Sequence, residues 1–96
     1  MALDPNSRDA LNSLAWLLYQ QKRLDEAESF ARRAVAQQGP DSYVVLDTLA
    51  RVLAARGSCS EAVQTFQQAI DAVPSAQAQA RADLESGLAA ARRTCS

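Results

Sequence analysis

The chain has 96 residues, with 10 basic and 11 acidic side chains, no histidine and a net charge of −1 at neutral pH. That is the length of one domain, and 48% hydrophobic residues give it enough apolar surface for a core. Its basic residues pair at Arg32-Arg33 and Arg92-Arg93, and once more at Lys22-Arg23, which is too sparse for a phosphate-binding surface, and the missing histidine removes Ser-His-Asp catalysis, Cys-His catalysis and any Cys/His zinc site.

In chain order, Asp4-Pro5 reads as an N-cap followed by proline at the first helical position. Leu11, Leu14, Ala15 and Leu18 then follow the i, i+3, i+4, i+7 rule of an apolar helical stripe and predict a helix over about 8–21. Lys22-Arg23 separates it from a second helix over about 24–37, which ends at the breakers Gly39-Pro40. Leu46, Leu49, Ala50 and Leu53 repeat the first stripe and predict a helix over about 42–56, closed by Gly57. Ser58 and Glu61 form a capping-box pattern ahead of Ala62, Phe66, Ala69, Ile70 and Val73, a fourth helix over about 59–73. Pro74 ends it, Ser75 is placed to cap a fifth, and Leu84, Leu88 and Ala91 stripe that last helix over about 76–93. Strand alternation and hairpin turns of the Asn-Gly type are missing, so the fold class expected is all-α. The longest apolar run, Leu14 to Tyr19, is far short of the roughly 20 residues that span a bilayer.

A shift of 35 residues superimposes Leu11 on Leu46, Leu14 on Leu49, Ala15 on Ala50, Leu18 on Leu53, Glu26 on Glu61, Ala27 on Ala62 and Ala34 on Ala69. Two helices per period in the mid-thirties is the mark of stacked helical hairpins. On these residues, with Gly57, Phe66 and Pro74 in the second copy, the sequence resembles the tetratricopeptide repeat family. The first copy departs from the family pattern: Lys22 stands where glycine is usual, and Ala31 where an aromatic is usual, with Phe30 one position earlier. These departures are expected to loosen the local geometry. The segments Asn12 to Trp16 and Leu46 to Ala50 look like those of bacterial multi-repeat proteins.

The resemblance implies a right-handed superhelix of antiparallel hairpins: a tail of a preceding repeat at 1–7, one repeat at 8–41, a second at 43–76 and a capping helix with the C-terminus at 76–96. The sequence then reads as the C-terminal end of a longer array. Its uncapped first face is expected to favour self-association.

The family resemblance also implies a concave groove lined by the first helix of each hairpin, which takes a peptide or partner protein. By register the lining residues are Asp9, Asn12, Trp16, Tyr19 and Gln20, then Val44, Asp47, Arg51 and Ala54, with Arg81 and Glu85 from the cap. Trp16 and Tyr19 are the expected anchors, because aromatic residues dominate interface energetics. The competing reading packs Trp16 between neighbouring helices and salt-bridges Arg51 and Arg81 to Asp47 and Glu85. A subfamily that clamps a C-terminal carboxylate uses lysine and asparagine at positions that here hold Asn12, Trp16 and Thr48, so that clamp is not expected.

No nucleophile with a plausible base and no glycine-rich phosphate loop are present, so the chain is expected to be no enzyme and to hold no cofactor or metal. Three functions stay open: a protein-interaction scaffold, a structural segment that caps or self-associates an array, and an accessory domain of a catalytic parent. The last helix should end near the turn between the third and fourth helices, which brings Cys95 toward Cys59. A disulfide there would imply an oxidising compartment, periplasmic or extracellular, and free thiols a cytoplasmic one.

Overall fold

The computed structural model describes residues 7–37, 39 and 41–94. Its five helices run α1 (Arg8–Gln20), α2 (Leu24–Ala36), α3 (Ser42–Ala55), α4 (Cys59–Ala72) and α5 (Ala78–Thr94), with no strand among the described residues. The predicted helices are all present, the first four ending one residue early and the last starting two residues late.

The helix ends differ from expectation in instructive ways. Asp4 and Pro5 lie outside the described residues, and α1 is capped by Ser7, whose Oγ accepts the Ala10 N–H at 3.1 Å. The capping box at α4 is not made: Ser58 contributes no side-chain cap bond. Glu61 turns outward instead and accepts a hydrogen bond from Arg32 on α2 at 2.8 Å, because a charged partner binds a carboxylate more strongly than a backbone N–H does. The ladder of α5 starts from the Gln77 carbonyl, beyond the turn that joins the Gln77 N–H to the Pro74 carbonyl, so Ser75 sits in that turn rather than next to the helix.

The two hairpin turns are the same turn. Lys22 (φ 63°) and Gly57 (φ 84°) are 35 residues apart and both left-handed. After each, the next N–H reaches back five residues along the preceding helix: Arg23 to the Leu18 carbonyl and Ser58 to the Leu53 carbonyl, both 2.9 Å. This is the bond pattern of a helix end reversed by a left-handed residue. Lysine in this conformation costs about 1–2 kcal/mol that glycine avoids, yet the first turn is not loosened.

Packing is built from small residues that let helices approach and large ones that fill between them. Leu11 packs with Ala34 and Val45, Leu18 with Ala27 and Val52, and Ala15 with Ala31, Leu49, Leu53 and Ala62. At the C-terminal end Phe66 is fully buried among Ala50, Ile70, Leu84 and Leu88. Val45 meets Ala34 near the end of α2 while Val52 meets Ala27 near its start, so α2 and α3 are antiparallel. The buried hydroxyls of Thr48 and Thr65 donate to carbonyls four residues back, Val44 at 3.3 Å and Glu61 at 2.8 Å, leaving no orphan donor.

One member of the predicted core stripe is not in the core. Leu14 is 40% exposed, whereas its repeat counterpart Leu49 is 5% exposed. The helix that covers Leu49 is α2, and no described helix stands in that place over Leu14.

Outside the apolar core, Glu28 of α2 joins two arginines. Its carboxylate pairs with Arg32 at 2.7 Å and with Arg56, beyond α3, at 2.7 Å; Arg56 also reaches Asp25 and Arg32 also reaches Glu61. The Arg32 hydrogen bond, opposed by some desolvation and helped by the charge of Arg56, holds the Glu28 carboxyl below the usual carboxylate range. A depressed carboxylate stabilises the fold above its unfolded pKa, and that contribution fades as pH falls through the folded value. Glu28→Gln is therefore expected to cost about 1 kcal/mol or less near neutral pH, since the partners are half-exposed. It should also flatten the loss of stability on acidification below about pH 4.3, measured by thermal unfolding across pH. Asp47, whose pKa is raised, works in the opposite sense in both proteins, so the difference between them isolates Glu28.

Candidate interaction groove

Helices α1, α3 and α5 lie side by side on one surface, α1 touching α3 and α3 touching α5. Between them is a cavity of about 440 Å³ lined by Tyr19 of α1, Arg51, Ala54 and Ala55 of α3, Phe66 of α4, and Gly87, Ala90, Ala91 and Thr94 of α5. Its lining is mostly alanine and glycine, with the two aromatic residues Tyr19 and Phe66. A neighbouring cavity of about 390 Å³ is lined by Tyr19, Gln20, Lys22, Leu24 and Ala55, so Tyr19 borders both.

Tyr19 is half-buried because its ring also packs against the cluster of Leu18, Ala27 and Val52. One turn back, Trp16 stacks on it at a ring separation of 5.3 Å and a tilt of 34°. Trp16 itself is 40% exposed, which leaves the pair as an apolar ledge on the surface of α1. Of the other α1 residues predicted for this surface, Asp9 is exposed, and Asn12 is half-buried with an Oδ1 that has no hydrogen-bond partner among the described residues.

On α3, Arg51 donates from Nε to the Asp47 carboxylate at 2.8 Å, the i, i+4 pairing its spacing allows. Burial is the main influence on Asp47 and raises its pKa. The Arg51 charge and hydrogen bond oppose that rise, and the Asp83 carboxylate of α5 adds to it. Asp47 of α3 and Asp83 of α5 are thus close enough to feel each other. Val44 is exposed at the start of α3.

From the cap, Arg81 and Glu85 do not line either cavity. Arg81 points its Nη2 toward the Val73 carbonyl at the end of α4, at 3.5 Å, and Glu85 is exposed. On α5 they lie on the flank away from Gly87, Ala90 and Thr94, whose side carries the groove. Register alone did not reveal this, because α5 has no partner helix in sequence to fix its rotation. The small residues Gly87 and Ala90 were the available signal: where a helix must leave room, its side chains are short.

Away from the groove, Cys59 begins α4 and is not a free thiol. Cys95 lies outside the described residues. Among the described residues no group of His, Cys, Asp or Glu is arranged to hold a metal, and no helix is long and apolar enough to cross a membrane.

Antiparallel hairpins stacked in sequence order, with a turn repeated after 35 residues, define an all-α helical-repeat protein. A family model described as Tetratricopeptide repeat matches residues 2–43, and this match together with the five-helix fold supports a fragment of the tetratricopeptide repeat family. No curated protein and no solved structure matches it significantly. The matched segment is the first hairpin and the residues before it, the part that departs more from the family pattern at Lys22 and Ala31. The family serves in protein–protein interaction and is typically non-catalytic.

Proposed function

We propose that the chain binds an extended peptide or a partner helix along the α1–α3–α5 groove, with Trp16 and Tyr19 as the apolar anchor. The observation that carries this reading is that exposed Trp16 stacks on Tyr19, which borders both cavities. Rings already stacked on each other lose little freedom when a ligand covers them, so their burial is available as binding energy. An apolar side chain of the partner would enter the cavity lined by Phe66, and polar groups would meet Arg51 and its partner Asp47 beside it, with Asp9 further along α1. Arg81 and Glu85 would then act outside the groove, as part of the polar face of the cap.

Trp16 is the only tryptophan in the sequence, which makes its fluorescence a reporter of this one place. Peptides selected on the chain from a displayed random library are expected to shift Trp16 emission. Selection should fail against Trp16→Ala while its melting temperature stays within a few degrees of the parent. Selected peptides that bind Trp16→Ala equally well would overturn the reading.

The second reading, a segment that terminates an array, is favoured by one feature: the outward row of α5 is Ala82, Ser86 and Ala89, flanked by Gln79, Asp83, Glu85 and Arg92. Such a row gives a following helix little apolar surface to pack on. The domain layout of two repeats and a cap belongs to this proposal, as does service as an accessory domain to a catalytic parent. Pairing of Cys59 with Cys95 belongs here too. Arg92 in the last turn of α5 borders the same surface as Gly57, Ser58 and Cys59, which supports a bridge that would hold α5 down and require an oxidising compartment.

A further inference from the structure

The three helices of the groove carry charge on the same rows as its apolar surface. Asp9, Asn12, Trp16 and Tyr19 follow one another on α1, Asp47, Arg51 and Ala54 on α3, and Asp83, Gly87, Ala90 and Thr94 on α5, always at steps of three or four residues. The later members of each row, Tyr19, then Arg51 with Ala54, then Gly87 with Ala90 and Thr94, line the larger groove cavity. The first member of each row is a carboxylate. Since one cavity takes late residues from all three helices, α1, α3 and α5 run the same way, and their carboxylates lie toward the same end. Three carboxylates there meet one cation, Arg51, which Asp47 already holds at 2.8 Å. Asp9 makes no ion pair among the described residues, and Asp83 accepts only an uncharged hydrogen bond, from the Gln79 amide at 3.0 Å. Other arginines are turned elsewhere: Arg23, Arg32 and Arg56 pair with carboxylates of α2 and α4, Arg8 lies against Gly39, and Arg81 reaches the end of α4. Lys22 borders the second cavity, past the far end of α1.

We propose, resting on the binding groove described above, that the partner is a basic peptide: an apolar side chain enters the cavity, and a lysine or arginine near it meets Asp47 and Asp83. Asp47 is half-buried, and its burial and the charge of Asp83 both raise its pKa against the pull of Arg51. One guanidinium therefore leaves the two carboxylates unbalanced, and a second cation, from the partner, completes the set. A carboxylate of the partner would instead add a third negative charge in a partly desolvated place, which gives the groove a choice of sign. Asp47 precedes Arg51 and Ala54 by four and seven residues. That is about 6–10 Å along a helix, which an extended peptide covers in two or three residues at about 3.3 Å each. The basic residue thus falls two or three positions from the apolar one.

Peptides selected on the chain from a displayed random library, then synthesised and titrated by Trp16 emission, test this. They are expected to carry lysine or arginine two or three positions from an apolar residue. Exchanging that basic residue for glutamate should weaken binding about tenfold or more, because a repulsion replaces an attraction beside a half-buried carboxylate. Asp83→Lys, at an exposed position, should weaken the selected peptide about threefold or more. The same variant should bind the glutamate peptide more tightly than the unaltered chain does, a reversal that a folding defect would not produce. Where Trp16→Ala abolishes binding, selected peptides without a basic residue, a glutamate exchange without effect, or no reversal by Asp83→Lys would each overturn the proposal and leave the groove standing. Peptides that bind Trp16→Ala equally well would overturn the groove and this proposal together.

Discussion

Phe66→Ala is expected to destabilise the fold by about 3–5 kcal/mol, the range for deleting a fully buried aromatic side chain. Phe66 is the largest of the fully buried side chains, and it touches three helices at once through Ala50 of α3, Ile70 of α4, and Leu84 and Leu88 of α5. Its removal leaves a void that small neighbours such as Ala50, Ala69 and Ala91 are too short to refill. It also takes away part of the groove's lining, so peptide binding should fall along with stability. Urea unfolding followed by circular dichroism measures the loss. Hydrogen exchange should show α5 and the second half of α4 losing protection before α1 and α2. A cost below about 1 kcal/mol would mean that α5 is not held by this ring.

Gly87→Val is expected to cost about 1–3 kcal/mol, although valine is intrinsically the better helix former. Glycine in a helix interior normally gives up about 1 kcal/mol against alanine. Here the loss is offset by contact, since a Cβ built on Gly87 would stand 2.6 Å from Phe66 Cε1 and 2.8 Å from its Cζ. A buried ring boxed in by three helices has nowhere to move, so α5 must shift outward. The clash is specific to the ring. Phe66→Leu combined with Gly87→Ala should therefore cost less than the sum of the two single changes, a coupling that a double-mutant cycle reads directly. Additive costs would show that Gly87 is there for some reason other than the approach of α5 to α4.

Much of this was readable before any coordinates. The helices followed from stripes such as Leu46, Leu49, Ala50 and Leu53, because burial of one face is a periodic demand on the sequence. The hairpin stacking followed from the 35-residue shift, which carries the same demand to the next copy. Three things were not readable. Leu14 keeps the core spacing yet stays exposed, since spacing says which face a residue is on and not what covers that face. Glu61 has the capping-box spacing yet bonds Arg32, because a local pattern competes with partners that only the fold brings near. Gly87, a residue of low helix propensity inside the last helix, has its meaning in a distance to Phe66, 21 positions earlier in the chain. Of the residues that line the two cavities, Tyr19, Gln20, Arg51 and Ala54 could be named from register. The rotation of α5, and with it the contribution of Ala90 and Thr94, could not.

The four apolar clusters each join helices that follow one another along the chain, and no cluster holds residues of both α1 and α5. The order in which the chain acquires structure follows from that. Short loops close before long ones, so each hairpin can consolidate on contacts made within itself and with its predecessor. A chain growing from its N-terminus can set α1 and α2 before Phe66 has been synthesised, and the groove, which needs α5, is the last surface to exist.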